Sequence, residues 1–129
     1  MKLLLDTHIA IWLLTDRARI PRAILETINN SGSDVFVSVI AVWEIAIKHR
    51  LARPDSPPFS GQAAIGHFET AGFASLPVNS IHAAFVERLP PIHADPFDRL
   101  MLAQSIVEGM QFVTYDKHLA RYDVALLTW

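Results

Sequence analysis

Short apolar runs alternate with longer amphipathic stretches along the chain, and turn or cap residues mark the boundaries. Leu3–Leu5 is an apolar run stopped by Asp6, as expected of a buried strand, and a helical stretch through Trp12 follows. Pro21 suits the first turn of a second helix that puts Ile24, Leu25 and Ile28 on one side, and the Asn29–Gly32 turn cluster ends it. Val35–Val37 predicts a second strand, and Ser38 can cap a helix running to about Leu51. Pro54, Pro57 and Pro58 make Arg53–Phe59 a loop. Gln62–Ala71 reads as a weaker helix and Phe73–Val78 as a short strand. Asn79 or Ser80 can cap a helix to about Leu89, where Pro90–Pro91 stops it. Asp95-Pro96 opens the next helix and Gly109 closes it, leaving Gln111–Tyr115 and Val124–Trp129 as the last strands. Strands alternating with helices predict an α/β fold on a parallel sheet.

Composition narrows the function classes. The 129 residues, 51% hydrophobic and 19% charged, fit one globular domain over 1–129. Eleven Lys+Arg against thirteen Asp+Glu leave a net charge of -2, which excludes a simple polycationic nucleic-acid binder. Any nucleic acid has to be held by local basic patches or through bound metal. With no cysteine, disulfide scaffolds, thiolate zinc sites and cysteine nucleophiles are excluded. Asp6 and His8 interrupt the signal-like start, and no apolar stretch approaches the ~20 residues that span a bilayer. A cytoplasmic protein is expected.

The informative residues are acids. Asp6 and Asp116 follow predicted strands, where open parallel sheets place their sites; each also suits a helix N-cap. Glu44 shares a helix face with Ile40, Ile47 and Leu51, so it is expected in a crowded, partly apolar setting where a carboxylate needs a cation. The structural alternative is a Glu44–Lys48 pair at i,i+4. In His93-Ala94-Asp95-Pro96-Phe97-Asp98, Asp95 reads as the N-cap, and Asp98 on the first turn is the better candidate ligand. Converging carboxylates must protonate or bind cations. Hard oxygen donors suit Mg²⁺ or Mn²⁺, and such a site suits hydrolysis of phosphate esters. The histidines at 8, 49, 67, 82, 93 and 118 show no HExxH or paired zinc spacing, and only His8 and His118 are expected at the pocket rim. Trp12, Trp43 and Phe97 are read as core.

Four segments together resemble the PIN-domain family. They are Leu-Leu-Leu-Asp-Thr-His at the start, Ser-Val-Ile-Ala-Val-Trp-Glu-Ile-Ala-Ile-Lys at 38–48, Asp-Pro-Phe-Asp-Arg-Leu-Met-Leu-Ala-Gln at 95–104, and Phe-Val-Thr-Tyr-Asp-Lys-His-Leu at 112–119. They arrive in the family's order across essentially the whole chain and look most like the small prokaryotic PIN proteins of the VapC toxin kind. The resemblance implies a three-layer sandwich whose central parallel sheet sets the first strand beside the one ending at Asp116. It also implies an endoribonuclease dependent on Mg²⁺ or Mn²⁺, with Asp6, Glu44, Asp98 and Asp116 as catalytic and metal-holding acids. Asp95 is a nearby extra acid of open role, and Thr7 and Thr114 match hydroxyl positions that support the acids or bound water. Lys48, Arg99, Lys117 and Arg121 are candidate RNA-backbone contacts, with solvated surface charge as the alternative for each. A VapB-type antitoxin and a homodimer are implied as partners, for which the Pro-rich 53–59 segment and the Trp12–Leu14 region are candidate surfaces. Two other readings compete: a non-catalytic PIN scaffold for RNA or protein, marked by loss of acids, and another metal-dependent α/β phosphohydrolase. The Asp-Thr-His at 6–8 lacks the Asp-x-Asp pair of haloacid-dehalogenase-like phosphatases.

Overall fold

The computed structural model describes residues 1–122 and 124–129. Among these, five strands form one all-parallel sheet: β1 (Lys2–Leu5), β2 (Asp34–Ser38), β3 (Ala74–Leu76), β4 (Gln111–Val113) and β5 (Leu126–Leu127), in the order β3-β2-β1-β4-β5. Six α-helices connect them: α1 (Thr7–Thr15), α2 (Arg22–Asn29), α3 (Val39–Arg50), α4 (Gly61–Thr70), α5 (Ser80–Phe85) and α6 (Pro96–Glu108). The uninterrupted apolar run at Leu3–Leu5 reflects a central strand covered on both faces, and all three leucines are fully buried. Phe112 and Val113 on β4 are buried equally.

Local chemistry starts and stops the helices. Ser38 Oγ accepts the Ile40 N–H at the head of α3. Asn79, not Ser80, caps α5, and the His82 ring returns the favour by accepting the Asn79 N–H. Gly109 ends α6 with φ +66°, a left-handed conformation that costs glycine nothing. At Gly61 a Cβ would lie 2.7 Å from the Ala46 Cβ, so glycine lets α4 close directly on α3.

Several boundaries are tighter than the pattern predicts. α5 ends at Phe85, and a 3₁₀ turn over Val86–Arg88 completes the stretch expected to be helical up to Leu89. β4 ends at Val113 because the chain turns away once the Thr114 N–H has reached the Leu127 carbonyl. β3 and β5, pairing on one side each, are only three and two residues long.

The chain winds from β1 out to β3, then crosses back over the sheet to β4 and β5. With right-handed crossovers this reversal puts helices on both faces and gives the three layers. It also sets β1 beside β4, with Leu5 opposite Val113, while their chains leave in opposite directions. A crevice opens at such a point.

Two expectations about α3 need correction. Glu44 is buried with Ile40, Ala41 and Ile45, but Ile47 and Leu51 are exposed. Trp43, read as core, is 54% exposed and forms a stripe with Val39, Ile47 and Leu51 at four-residue spacing. A helix apolar on nearly every side does not announce which face is covered. Here α4 packs along Val42 and Ala46, and Trp43 keeps an edge contact with Phe97 at the start of α6, its ring 5.0 Å away. Trp12 and Phe97 are partly buried against the core. No helix among the described residues is long and apolar enough to cross a membrane.

Candidate active site

Asp6 leaves β1 at the crevice, and its N–H is tied to the Val113 carbonyl of β4 at 2.8 Å. The Thr114 hydroxyl donates to Asp6 Oδ2 at 2.7 Å. Oδ1, equally shielded from solvent, has no hydrogen-bond partner. Burial pushes the Asp6 carboxyl above the usual carboxylate range, against the opposing hydrogen bond from Thr114.

Glu44 enters from α3 with 2% exposure. Its Oε1 accepts from the Thr7 hydroxyl at 2.7 Å, and its Oε2 accepts from the Lys48 ammonium. The i,i+4 pair and the buried acid, posed as alternatives, therefore coexist. Burial works to lower the Lys48 pKa, but the hydrogen bond and charge of Glu44, with Asp95 and Asp98 beyond, raise it.

Asp95 and Asp98 come from the start of α6. Asp95 Oδ1 accepts the Phe97 N–H at 2.9 Å and the Asp98 N–H at 3.4 Å, the expected cap. Asp98 turns inward. Its pKa is pushed up to about 8, first by burial and then by the charges of Asp6, Asp95, Glu44 and Asp116. Asp116 stands beyond β4, where its N–H bonds the Thr114 hydroxyl and its Oδ1 accepts the His118 N–H.

The four acids assigned from sequence therefore converge, with Asp95 at the edge, around one cleft of about 820 Å³. His8 and His118 reach the cleft as expected, and the Pro-rich segment, read as a partner surface, also lines it through Asp55–Pro58. One residue at its centre went unanticipated. His93 Nε2 lies 2.9 Å from Asp98 Oδ2 and 3.0 Å from Asp116 Oδ2. The cue was in the sequence: His93 stands two residues before the Asp95 cap, close enough for its chain segment to reach the same mouth.

Arg99 corrects another expectation. Rather than facing a ligand, its guanidinium donates to the carbonyls of Pro90, His93, Val86 and Leu89 and to the Tyr122 hydroxyl. Lys48 and Lys117 line the cleft, whereas exposed Arg121 on the 3₁₀ turn over Lys117–Arg121 does not. Trp12 and Tyr115 form an aromatic wall, their rings 5.8 Å apart, and the Arg19 guanidinium lies 4.1 Å over Trp12.

A buried carboxylate oxygen without a partner costs more than the roughly 1–3 kcal/mol of a neutral unsatisfied group. Several acids crowded around it add mutual repulsion. A divalent cation answers both, so the donors present fit one. One donor atom each of His93, Asp98 and Asp116 lies within 4.8 Å of the others.

An α/β sheet with an acid-lined crevice at its switch point defines a class of protein, and the family is shown directly. The PIN domain model matches residues 3–125, and the chain belongs to that family. No curated protein matches it significantly. Solved structures share the fold at low identity. A chain of VapBC2 from Rickettsia felis, solved bound to promoter DNA, superposes with a TM-score of 0.75 at 15% identity, covering 100% of this chain and 99% of that one. VapBC-1 of nontypeable Haemophilus influenzae gives 0.70 at 19%, with 100% and 98% covered. VapBC-5 of Mycobacterium tuberculosis, from the VapBC family of toxin-antitoxin systems, gives 0.63 at 20%, with 98% and 96% covered.

Proposed function

We propose that this protein is a metal-dependent endoribonuclease, the toxin of a toxin–antitoxin pair. The observation that carries the reading is the partnerless Oδ1 of Asp6 among the converging carboxylates, a charge arrangement suited to a cation. Asp6, Asp98 and Asp116 would hold Mg²⁺ or Mn²⁺, with Glu44 completing the pocket. Such an ion supplies neutralisation of phosphate charge and an acidified water for attack on the phosphodiester.

The chain's own groups do the rest. Thr114 orients Asp6 through Oδ2 and leaves Oδ1 for the ion. Thr7 and Lys48 fix Glu44, which in turn keeps the Lys48 ammonium at the cleft, where it can meet a phosphate oxygen. Half-exposed Tyr115 offers a face for an unstacked base beside Trp12, one side of which Arg19 covers, and Lys117 adds positive charge at the rim. A single-stranded RNA suits that combination better than a small phosphomonoester, which needs no aromatic wall. The α3 stripe of Val39, Trp43, Ile47 and Leu51 is an apolar surface suited to a VapB-type antitoxin or a second copy of the chain.

The test is cleavage of mixed cellular RNA by the purified, partner-free protein in Mn²⁺ or Mg²⁺, with EDTA and Asp6→Asn as paired controls. Cleavage abolished by both controls supports the reading. Absence of both cleavage and Mn²⁺ binding overturns it in favour of a non-catalytic scaffold.

A further inference from the structure

His93 is held as firmly as the acids it faces. Its N–H donates to the hydroxyl of buried Tyr122 at 2.9 Å, and its carbonyl accepts from Arg99. Tyr122 in turn donates to the Pro90 carbonyl, and Arg99 gathers four carbonyls of the segment from Val86 to His93. A loop leading into α6 is thereby clamped at several points, and the imidazole it carries is delivered to the middle of the acid cluster. Surface histidines need no such scaffold.

The spacing fits ligation. Nε2 stands 2.9 and 3.0 Å from one oxygen each of Asp98 and Asp116, a hydrogen-bond distance in the metal-free chain that is also the separation of two donors sharing one ion. Adjacent corners of an octahedron with bonds of about 2.1 Å are separated by about 3.0 Å. Across the same cleft the partnerless, buried Asp6 Oδ1 is an independent sign that the group completing the site is missing from the protein's own atoms. Building on the metal-site reading above, we infer that His93 is a direct nitrogen ligand, making the site a mixed His–carboxylate centre with Asp98 and Asp116. In that role the ring carries its proton on Nδ1 and offers the Nε2 lone pair.

The donor set has a chemical consequence. Three hard oxygens alone suit Mg²⁺, whereas an imidazole nitrogen shifts the balance toward first-row transition ions. Mn²⁺ is therefore the preferred ion over Mg²⁺, and the preference resides in one side chain.

Pulsed electron paramagnetic resonance of Mn²⁺ bound to the full chain tests this without any substrate. The expected result is ¹⁴N modulation from a coordinated imidazole, lost in His93→Ala and retained in His8→Ala and His118→Ala. Titration should show the Mn²⁺ dissociation constant rising at least about tenfold in His93→Ala, with a smaller change for Mg²⁺. Mn²⁺ that binds the wild-type chain without ¹⁴N modulation, or modulation that survives His93→Ala, overturns the ligand assignment and leaves the carboxylate site standing. No Mn²⁺ binding at all overturns both. If His93→Ala fails to fold, a wild-type spectrum without ¹⁴N modulation still overturns the assignment, and His93→Gln takes the place of the alanine variant.

Discussion

Among the described residues, two buried polar clusters are built on opposite rules. Behind the sheet end, Ser38 Oγ donates to Gln104 Oε1 at 2.6 Å, while Gln104 Nε2 donates to the Pro77 carbonyl at 3.3 Å. Nearby, buried His82 meets Glu108 at 2.8 Å and closes the cap of α5. These groups satisfy one another and tie α3, α5 and α6 together. In the cleft at β1 and β4, Asp6 lacks a partner on Oδ1 and Asp98 is pushed up to about 8 by burial and like charge. The first cluster is complete without a ligand and serves the fold. The second leaves hydrogen-bonding and charge capacity unspent, which the proposed metal would take up. Burial of polar side chains does not separate structural from functional residues, but unspent hydrogen-bonding and charge capacity does.

The largest expected effect breaks the comparison on the functional side. Asp98→Asn should cut metal-dependent RNA cleavage by more than about a hundredfold, exceeding what loss of a supporting residue around a metal usually costs. Above pH 8, where folded Asp98 is ionised, the same change should raise the thermal midpoint of the metal-free chain, because it removes a charge held among other carboxylates. Activity and melting measured on one preparation check both signs.

On the structural side, Gln104→Ala should cost about 1–3 kcal/mol by leaving the Ser38 hydroxyl without its acceptor in the core. Cleavage per folded molecule should stay unchanged, as chemical denaturation and a titrated activity assay can show. Arg99→Ala combines the two regions. It frees the carbonyls around Pro90 and His93, so stability and metal affinity should both fall, by about 1.5–3 kcal/mol for the charged hydrogen bonds and measurably in the Mn²⁺ titration.

The pH dependence follows from Asp98. Its folded pKa is raised, so the folded state retains a proton that the unfolded chain releases near the ordinary carboxylate value of 3.8. That contribution to stability is fully present below the unfolded value and is lost as pH rises through about 8. Denaturation of the metal-free protein at pH 5 and pH 9 should show this decline, and saturating Mn²⁺ should flatten it. The smallest effect belongs to the α3 stripe: Trp43→Ser should cost about 0.5–1.5 kcal/mol, the worth of its edge contact with Phe97, as chemical denaturation can show.

Much of the architecture was legible before any coordinates. The leucines at 3–5 end at Asp6, Ser38 caps α3, Asp95-Pro96 opens α6 and Gly109 closes it, each by chemistry confined to a few neighbours. The convergence of Asp6, Glu44, Asp98 and Asp116 on one cleft was anticipated from strand ends, helix starts and the order of the four segments. The reach of His93 was not, because it depends on Tyr122 and Arg99 clamping a loop from outside its own neighbourhood. Trp43 was misjudged for the converse reason, since nothing local says which side of an apolar helix another helix will cover.

What the sequence by itself determined was the succession of elements, their caps and the supply of acids, because propensity, capping and strand burial act over a handful of residues. What only the tertiary structure decided was which of those groups are satisfied. The reversal of strand order at β1 and β4 brings residues 108 positions apart within hydrogen-bond distance, as with Asp6 and Thr114, and leaves the other oxygen of Asp6 without a partner. Hydrogen-bond accounting is a property of three-dimensional neighbours, so the unspent capacity that marks the site exists only once the chain has folded.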